Sequence, residues 1–218
     1  MGDAKSNTGT TGFKLIQKKQ VIRFFCVFIV IYGLLMFPWP GLGAAYSKIY
    51  RAGAAFLFKS FGSKGTVRFE EPSEDEYDTK IVFYSRDQVN PAGKMVPIGF
   101  INHNSRRSGY IYVAFLIALI LATPISWNRK GWALLWGMIL IHCFIVLSLA
   151  IWILYGFNKE PLSLVLLSPF WKQVLLLTID VFVRNLTFGF IVCVFIWILV
   201  SFRREDWTRI LARKNCLS

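Results

Sequence analysis

Charge is what this 218-residue chain has least of: Asp, Glu, Lys and Arg make up only 17% of it. Soluble domains carry about 25% charged and about 45–50% apolar residues, and here the apolar share is 55%. An ordinary soluble fold is excluded on that ground. Glycine (16) and proline (8) are too few for collagen, and 17% aromatic residues argue against disorder and coiled coil. There is no nucleotide-binding glycine pattern and no paired-Cys or His-rich metal site. The two histidines, His103 and His142, have no second His or Cys at metal-ligand spacing. The four cysteines (Cys26, Cys143, Cys193, Cys216) are scattered. No cofactor is expected. Acids are scarcer than bases, 12 against 25, for a net charge of +13.

What the chain has is long apolar runs. Four of them approach the roughly 20 residues needed to cross about 30 Å of hydrocarbon. They are Val21–Pro38, Gly109–Ser126, Gly131–Gly156 and Val174–Phe202. Pro38-Trp39-Pro40 closes the first, and Ser108 is a plausible N-cap for the second. Residues 127–130 (Trp-Asn-Arg-Lys) join the second and third as a cytoplasmic turn, giving a tight hairpin. The expected fold is an all-α membrane bundle of four transmembrane helices with a small external α+β segment. The first run also fits a cleaved signal peptide, with Gly41-Leu42-Gly43-Ala44 as the small residues after it. Cleavage would leave three spans.

Basic residues near the span ends set the orientation. With four spans, residues 1–20, 127–130 and 203–218, with Arg23, share one side and hold 12 Lys/Arg against 3 acids. The other side, 39–108 and 157–173, holds 12 Lys/Arg against 8 acids over a greater length. Both termini are therefore expected in the cytoplasm of a bacterial inner membrane, with 39–108 outside. The charge excess then serves topology and anionic headgroups, so the lipid bilayer is the expected partner and nucleic acid is not.

Within 39–108, residues 44–61 show a helical period. Tyr46, Ile49, Tyr50, Phe56, Leu57 and Phe61 fall on one face and Ser47, Lys48, Arg51 and Lys59 on another. A helix in the membrane interface and a helix packed on the outer domain both fit this pattern. Short strands are expected at about 66–70, 80–85 and 94–101, separated by an acidic turn (72–78) and by Asn90-Pro91-Ala92-Gly93. Pro97 argues that the third strand is an edge. The segment 157–173 reads as an interfacial loop anchored by Trp171, with Pro169 against any helix there.

Three places carry polar chemistry. His142 lies about 11 residues, roughly 16 Å, from the cytoplasmic end of its span. An ionisable group at that depth is a functional candidate by default. Cys193 lies at similar depth, so an encounter with His142 is conceivable, although both also suit a structural role. Asp180 and Arg184, spaced i, i+4, can pair near the outer interface. His103, Arg106 and Arg107 head the second span, where cations oppose the helix dipole and could serve headgroups, the acidic turn or a substrate.

Ser105–Leu154 resembles the central helical hairpin of the exosortase/archaeosortase group. The likeness lies in a polar outer cluster, an apolar helix with small residues, a Leu121–Lys130 turn (LATPISWNRK) and a long helix. The active members are transpeptidases that process sorting signals at the outer face, using a Cys at the outer end of the first hairpin helix. This chain departs there: no Cys lies between Cys26 and Cys143, and the region offers Asn102, His103, Asn104 and Ser105. The overall plan is similar to that of exosortase-associated membrane proteins, which lack the catalytic set. The resemblance implies an accessory or scaffold subunit in envelope protein sorting or export, partnered by another membrane protein or a sorting enzyme. The competing expectation is a small membrane enzyme or transporter using His142 with Asp180 and Arg184.

Overall fold

The computed structural model describes residues 8–59, 65–72, 77–91, 93–158 and 167–202. Helix α1 (Thr8–Met36) is followed by α2 (Leu42–Phe58). Strands β1 (Gly65–Glu70), β2 (Thr79–Val89) and β3 (Met95–His103) come next, then α3 (Ile111–Ala122) and α4 (Trp127–Asn158), and finally α5 (Pro169–Thr178) and α6 (Leu186–Ser201). Wide π-helical turns, Arg106–Tyr110 and Ile179–Arg184, lead into α3 and out of α5.

Among the described residues two helices are long and apolar enough to cross a membrane: Lys18–Met36 within α1, and α4. The pair formed by Pro169–Arg184 and α6, bent by 71°, makes a third if taken as one span. The expected straight helix over 174–202 is thus corrected. Asn185, extended at ψ 101°, interrupts it and caps α6 by accepting a 3.0 Å hydrogen bond from the Thr187 amide. The run expected at 109–126 forms only 12 α-helical residues behind its π turn, fewer than a span requires by itself.

Contacts fix the direction of each rod. Tyr110 donates to the Leu35 carbonyl, Phe28 and Tyr32 pack on Phe115, and Phe24 packs on Trp197, so α1 and α3 are antiparallel. Gly137 faces Ile120 and Gly109 faces Ile145, which makes α3 and α4 an antiparallel hairpin. Trp197 Nε1 donates to Thr123 Oγ1 at 2.7 Å, and Tyr112 covers Gly189, so α6 runs parallel to α3. Helix α3 is the centre. Tyr112, Ala114, Leu116, Ala118, Leu119, Ile120 and Ala122 are all buried, as its apolar sequence on every side requires.

Several expected boundaries move for local reasons. The α1 helix extends back to Thr8, through the segment expected as a basic flank. The hairpin link is Thr123–Ser126, and Trp127–Lys130 is the first turn of α4. Pro124 holds Thr123 extended (ψ 130°) and so ends α3. Lys130 Nζ then donates to the Leu121 carbonyl at 2.6 Å, and Arg129 to that of Ser201 at 3.2 Å, covering the open ends of α3 and α6. Pro169 opens α5 instead of preventing it, because a helix's first residue needs no amide hydrogen. The rest of the expected loop 159–166, the acidic residues 73–76 and the basic tail 203–218 lie outside the described residues.

The strands form one antiparallel sheet in the order β1-β2-β3, which leaves β3, with Pro97, on an edge as expected. An irregularity between the Phe83–Gly99 and Tyr84–Pro97 pairs leaves Ile98 unmatched. Val67, Ile81 and Phe83 face Ala54 and Phe58 of α2 and Leu149, Ile153 and Phe157 of α4 in one buried cluster. The C-terminal end of α4 is therefore the post on which the sheet stands. Gly156 seats the Phe83 ring: a β-carbon there would lie 2.2 Å from it.

Candidate functional site

The densest polar geometry lies where the sheet meets the start of α3. Asp78, one residue before β2, accepts hydrogen bonds from the Ser105 amide (2.7 Å), the Ser105 hydroxyl (2.9 Å) and the Arg106 amide (3.1 Å). The first amides of a helix have no partner within it, and here an acid 27 residues upstream supplies one. Asn104 Oδ1 accepts from the Arg107 amide at 3.0 Å, completing the cap. Ser108, the expected N-cap, lies inside the π turn and donates to the Asn104 carbonyl.

The cap also accounts for two cations at a helix start. The negative charge of Asp78 sits at the positive end of the dipole and takes the backbone of Arg106, while the Arg106 guanidinium lies 5.9 Å from the Tyr110 ring. Arg51 of α2 joins from the other side, donating to the Asp78 carbonyl at 2.5 Å and pairing with the exposed Glu71 at 3.4 Å.

His103, at the end of β3, is buried. Its Nε2 is hydrogen-bonded to the Tyr50 hydroxyl at 3.1 Å, and the two rings stack at 5.8 Å. Burial pushes the imidazole down to about 4, against the opposing pull of Asp78, so it is neutral at pH 7. Burial likewise raises the Tyr50 and Tyr46 hydroxyls, which stay protonated. Tyr46 packs on Tyr110 and Tyr50 and closes over Gly109.

The other expected residues do not join this site. His142 is exposed on α4, its Nδ1 2.7 Å from the Met138 carbonyl. Cys193 is fully buried and donates to the Tyr112 carbonyl at 3.5 Å. Consecutive helical positions diverge by about 100°, and His142 points out where Ile141 beside it packs with Cys193. The conceivable Cys–His encounter is therefore absent. Cys143 is exposed.

Asp180 and Arg184 form the expected pair at 2.8 Å, but on a π turn, with both side chains more than half exposed. They face outward at the bend and not into the bundle. Among the described residues no hydrogen bond or ion pair links them to His142. No three metal-ligating side chains converge among those residues.

No family model, curated protein or solved structure matches this chain. Asp78 and Tyr50 carry the joint, and sequence reasoning missed both. Asp78 sat within an acidic turn and Tyr50 on an amphipathic face, and neither position signals a contact that forms only across the fold.

The face of the sheet turned away from the bundle is a second ordered surface. Arg68 lies over the Tyr84 ring at 5.0 Å and Lys80 over that of Phe100 at 4.4 Å. Tyr84 donates to Glu70 at 3.2 Å. Phe100 is 59% exposed. Such cation–ring pairs hold side chains in fixed places on an open surface.

Proposed function

We propose that this chain is a multi-pass inner-membrane protein acting as a non-catalytic accessory or scaffold subunit in envelope protein sorting or export. In this reading α1, α3, α4 and α6 cross the bilayer in alternation. Both termini lie in the cytoplasm, and the sheet lies outside. Support comes from the shared axis of the four rods and from Arg129 and Lys130 at the end of the bundle opposite the sheet.

The observation that carries the accessory role is the state of Ser105. It lies in the region where the resembled transpeptidases hold their nucleophile, yet it is fully buried and gives its hydroxyl to Asp78. The groups that could do chemistry serve as a rigid joint. That joint fixes the sheet to the bundle and leaves the Arg68/Tyr84/Lys80/Phe100 face open to a partner. The enzyme-or-transporter alternative needs His142, Asp180 and Arg184 on one path, and each is satisfied on its own helix.

Complementation of a deletion strain tests the reading. Removing residues 65–103 should abolish function, whereas His142→Ala and Arg184→Ala should each retain it; the opposite pattern would overturn the proposal. Single cysteines placed in 66–100 and in 205–215 should react with an impermeant maleimide from opposite faces.

A further inference from the structure

Between α2 and α4 runs an apolar slot of about 200 Å³. Ile49, Gly53 and Leu57 form one wall and Ile145, Val146 and Leu149 the other; Tyr46, Tyr50 and His142 also line it, and no Asp, Glu, Lys or Arg does. Its α2 wall is open to the side: Ile49 is 72% and Leu57 54% exposed, and Phe56 beside them is 86% exposed. Leu135 and Ile139, on the flank of α4 that carries His142, are also exposed, within a helix apolar enough to cross a membrane. The slot is thus continuous with surface that hydrocarbon covers.

The opposite side of α2 carries the exposed Lys48 and Lys59, and the helix contains no acid. Arg51 on that side is paired with Glu71, but an apolar slot beside the two lysines suits a two-part ligand, hydrocarbon below and negative charge above. A second copy of the chain would bring two such lysine pairs together. We propose that the slot holds one acyl chain of an anionic bilayer phospholipid whose headgroup is drawn to the basic side of α2.

The test uses the full chain in liposomes carrying phosphatidylglycerol with a photoactivatable diazirine in mid-chain, against phosphatidylcholine with the same chains. Adducts from the anionic lipid should concentrate in peptides covering 46–57 and 142–149. Nothing lies within 4 Å of a β-carbon built on Gly53, so Gly53→Leu enters open space and leaves the fold intact. It displaces about two methylenes of the bound chain, a roughly tenfold loss of adducts. Gly53→Ala should leave labelling unchanged, and Val146→Trp, filling the slot from the other wall, should repeat the loss. Equal labelling by both lipids, or adducts spread evenly over α1 and α4 and indifferent to Gly53→Leu, would overturn the proposal. So would benzoylphenylalanine at position 49 capturing a protein, or a second copy of this chain, in cells.

Discussion

Asp78 accepts three hydrogen bonds from a helix start 27 residues away, two of them from the backbone amides of Ser105 and Arg106. Asp78→Ala should therefore cost about 2 kcal/mol of stability, the scale of a lost cap plus unsatisfied donors. Thermal unfolding of the detergent-solubilised protein measures it. Glu71→Ala, at an acid 82% exposed, should stay within about 0.5 kcal/mol. His103 supplies a pH dependence with a defined sign. Its folded value, about 4, lies below the ordinary 6.5. The unfolded chain therefore binds the extra proton between those limits, and stability is full above pH 6.5. It declines as pH falls toward 4, by up to about 3 kcal/mol. His103→Gln should flatten that decline, and a profile unchanged by the substitution would locate the sensitivity elsewhere. The candidate residues could be named from sequence, but their state could not. His103 was visible as a cation heading a helix, and it is a neutral, buried partner of Tyr50 only because β3 ends against α2.

Helices and strands were legible where the period was strong. Alternation placed β1 to within one residue, and Pro97 marked the edge strand. The bend at Asn185 was hidden because 174–202 is apolar on both sides of it; its one local sign is Asn185 two residues before Thr187, the spacing of its cap. Asn185→Ala should destabilise α6 by about 1 kcal/mol, read as faster hydrogen exchange at its first amides. A larger test of packing lies under the sheet. Gly156→Ala places a β-carbon against the Phe83 ring and should cost about 2 kcal/mol by overpacking. Phe83→Leu frees that space, so the double variant should be less destabilised than the sum of the two single ones. Strict additivity would mean that the sheet does not press on α4 there. Sheet and post are thus coupled through a glycine that sequence periodicity treats as a gap.

At the scale of the whole molecule, the rods differ in length. Helix α4 has 32 residues and α1 29, while α6 has 16 and α3 with its π turn spans 106–122. At 1.5 Å per residue the two short rods reach about 25 Å, below the roughly 30 Å of a typical hydrocarbon core. α3 is wrapped by protein, so the shortfall falls on α6, whose outward side chains Ile191, Phe195 and Leu199 are about 60% exposed. If the rods cross the bilayer as proposed, α1 and α4 are long enough to tilt or emerge, but α6 is fixed at both ends. Arg129 holds the Ser201 carbonyl, and Asn185 begins the bend. If α6 crosses the bilayer as proposed, a thick membrane must thin around it, at a fraction of a kcal/mol per Å. Unfolding temperature should then be highest in short-chain phosphatidylcholine bilayers and fall steadily as the acyl chains lengthen. Lengthening α6 by one turn of leucine and alanine before Ser201 should not rescue it, because the insertion moves the Ser201 carbonyl away from Arg129. Stability indifferent to acyl length would instead mean that α6 does not cross the bilayer as a single short rod.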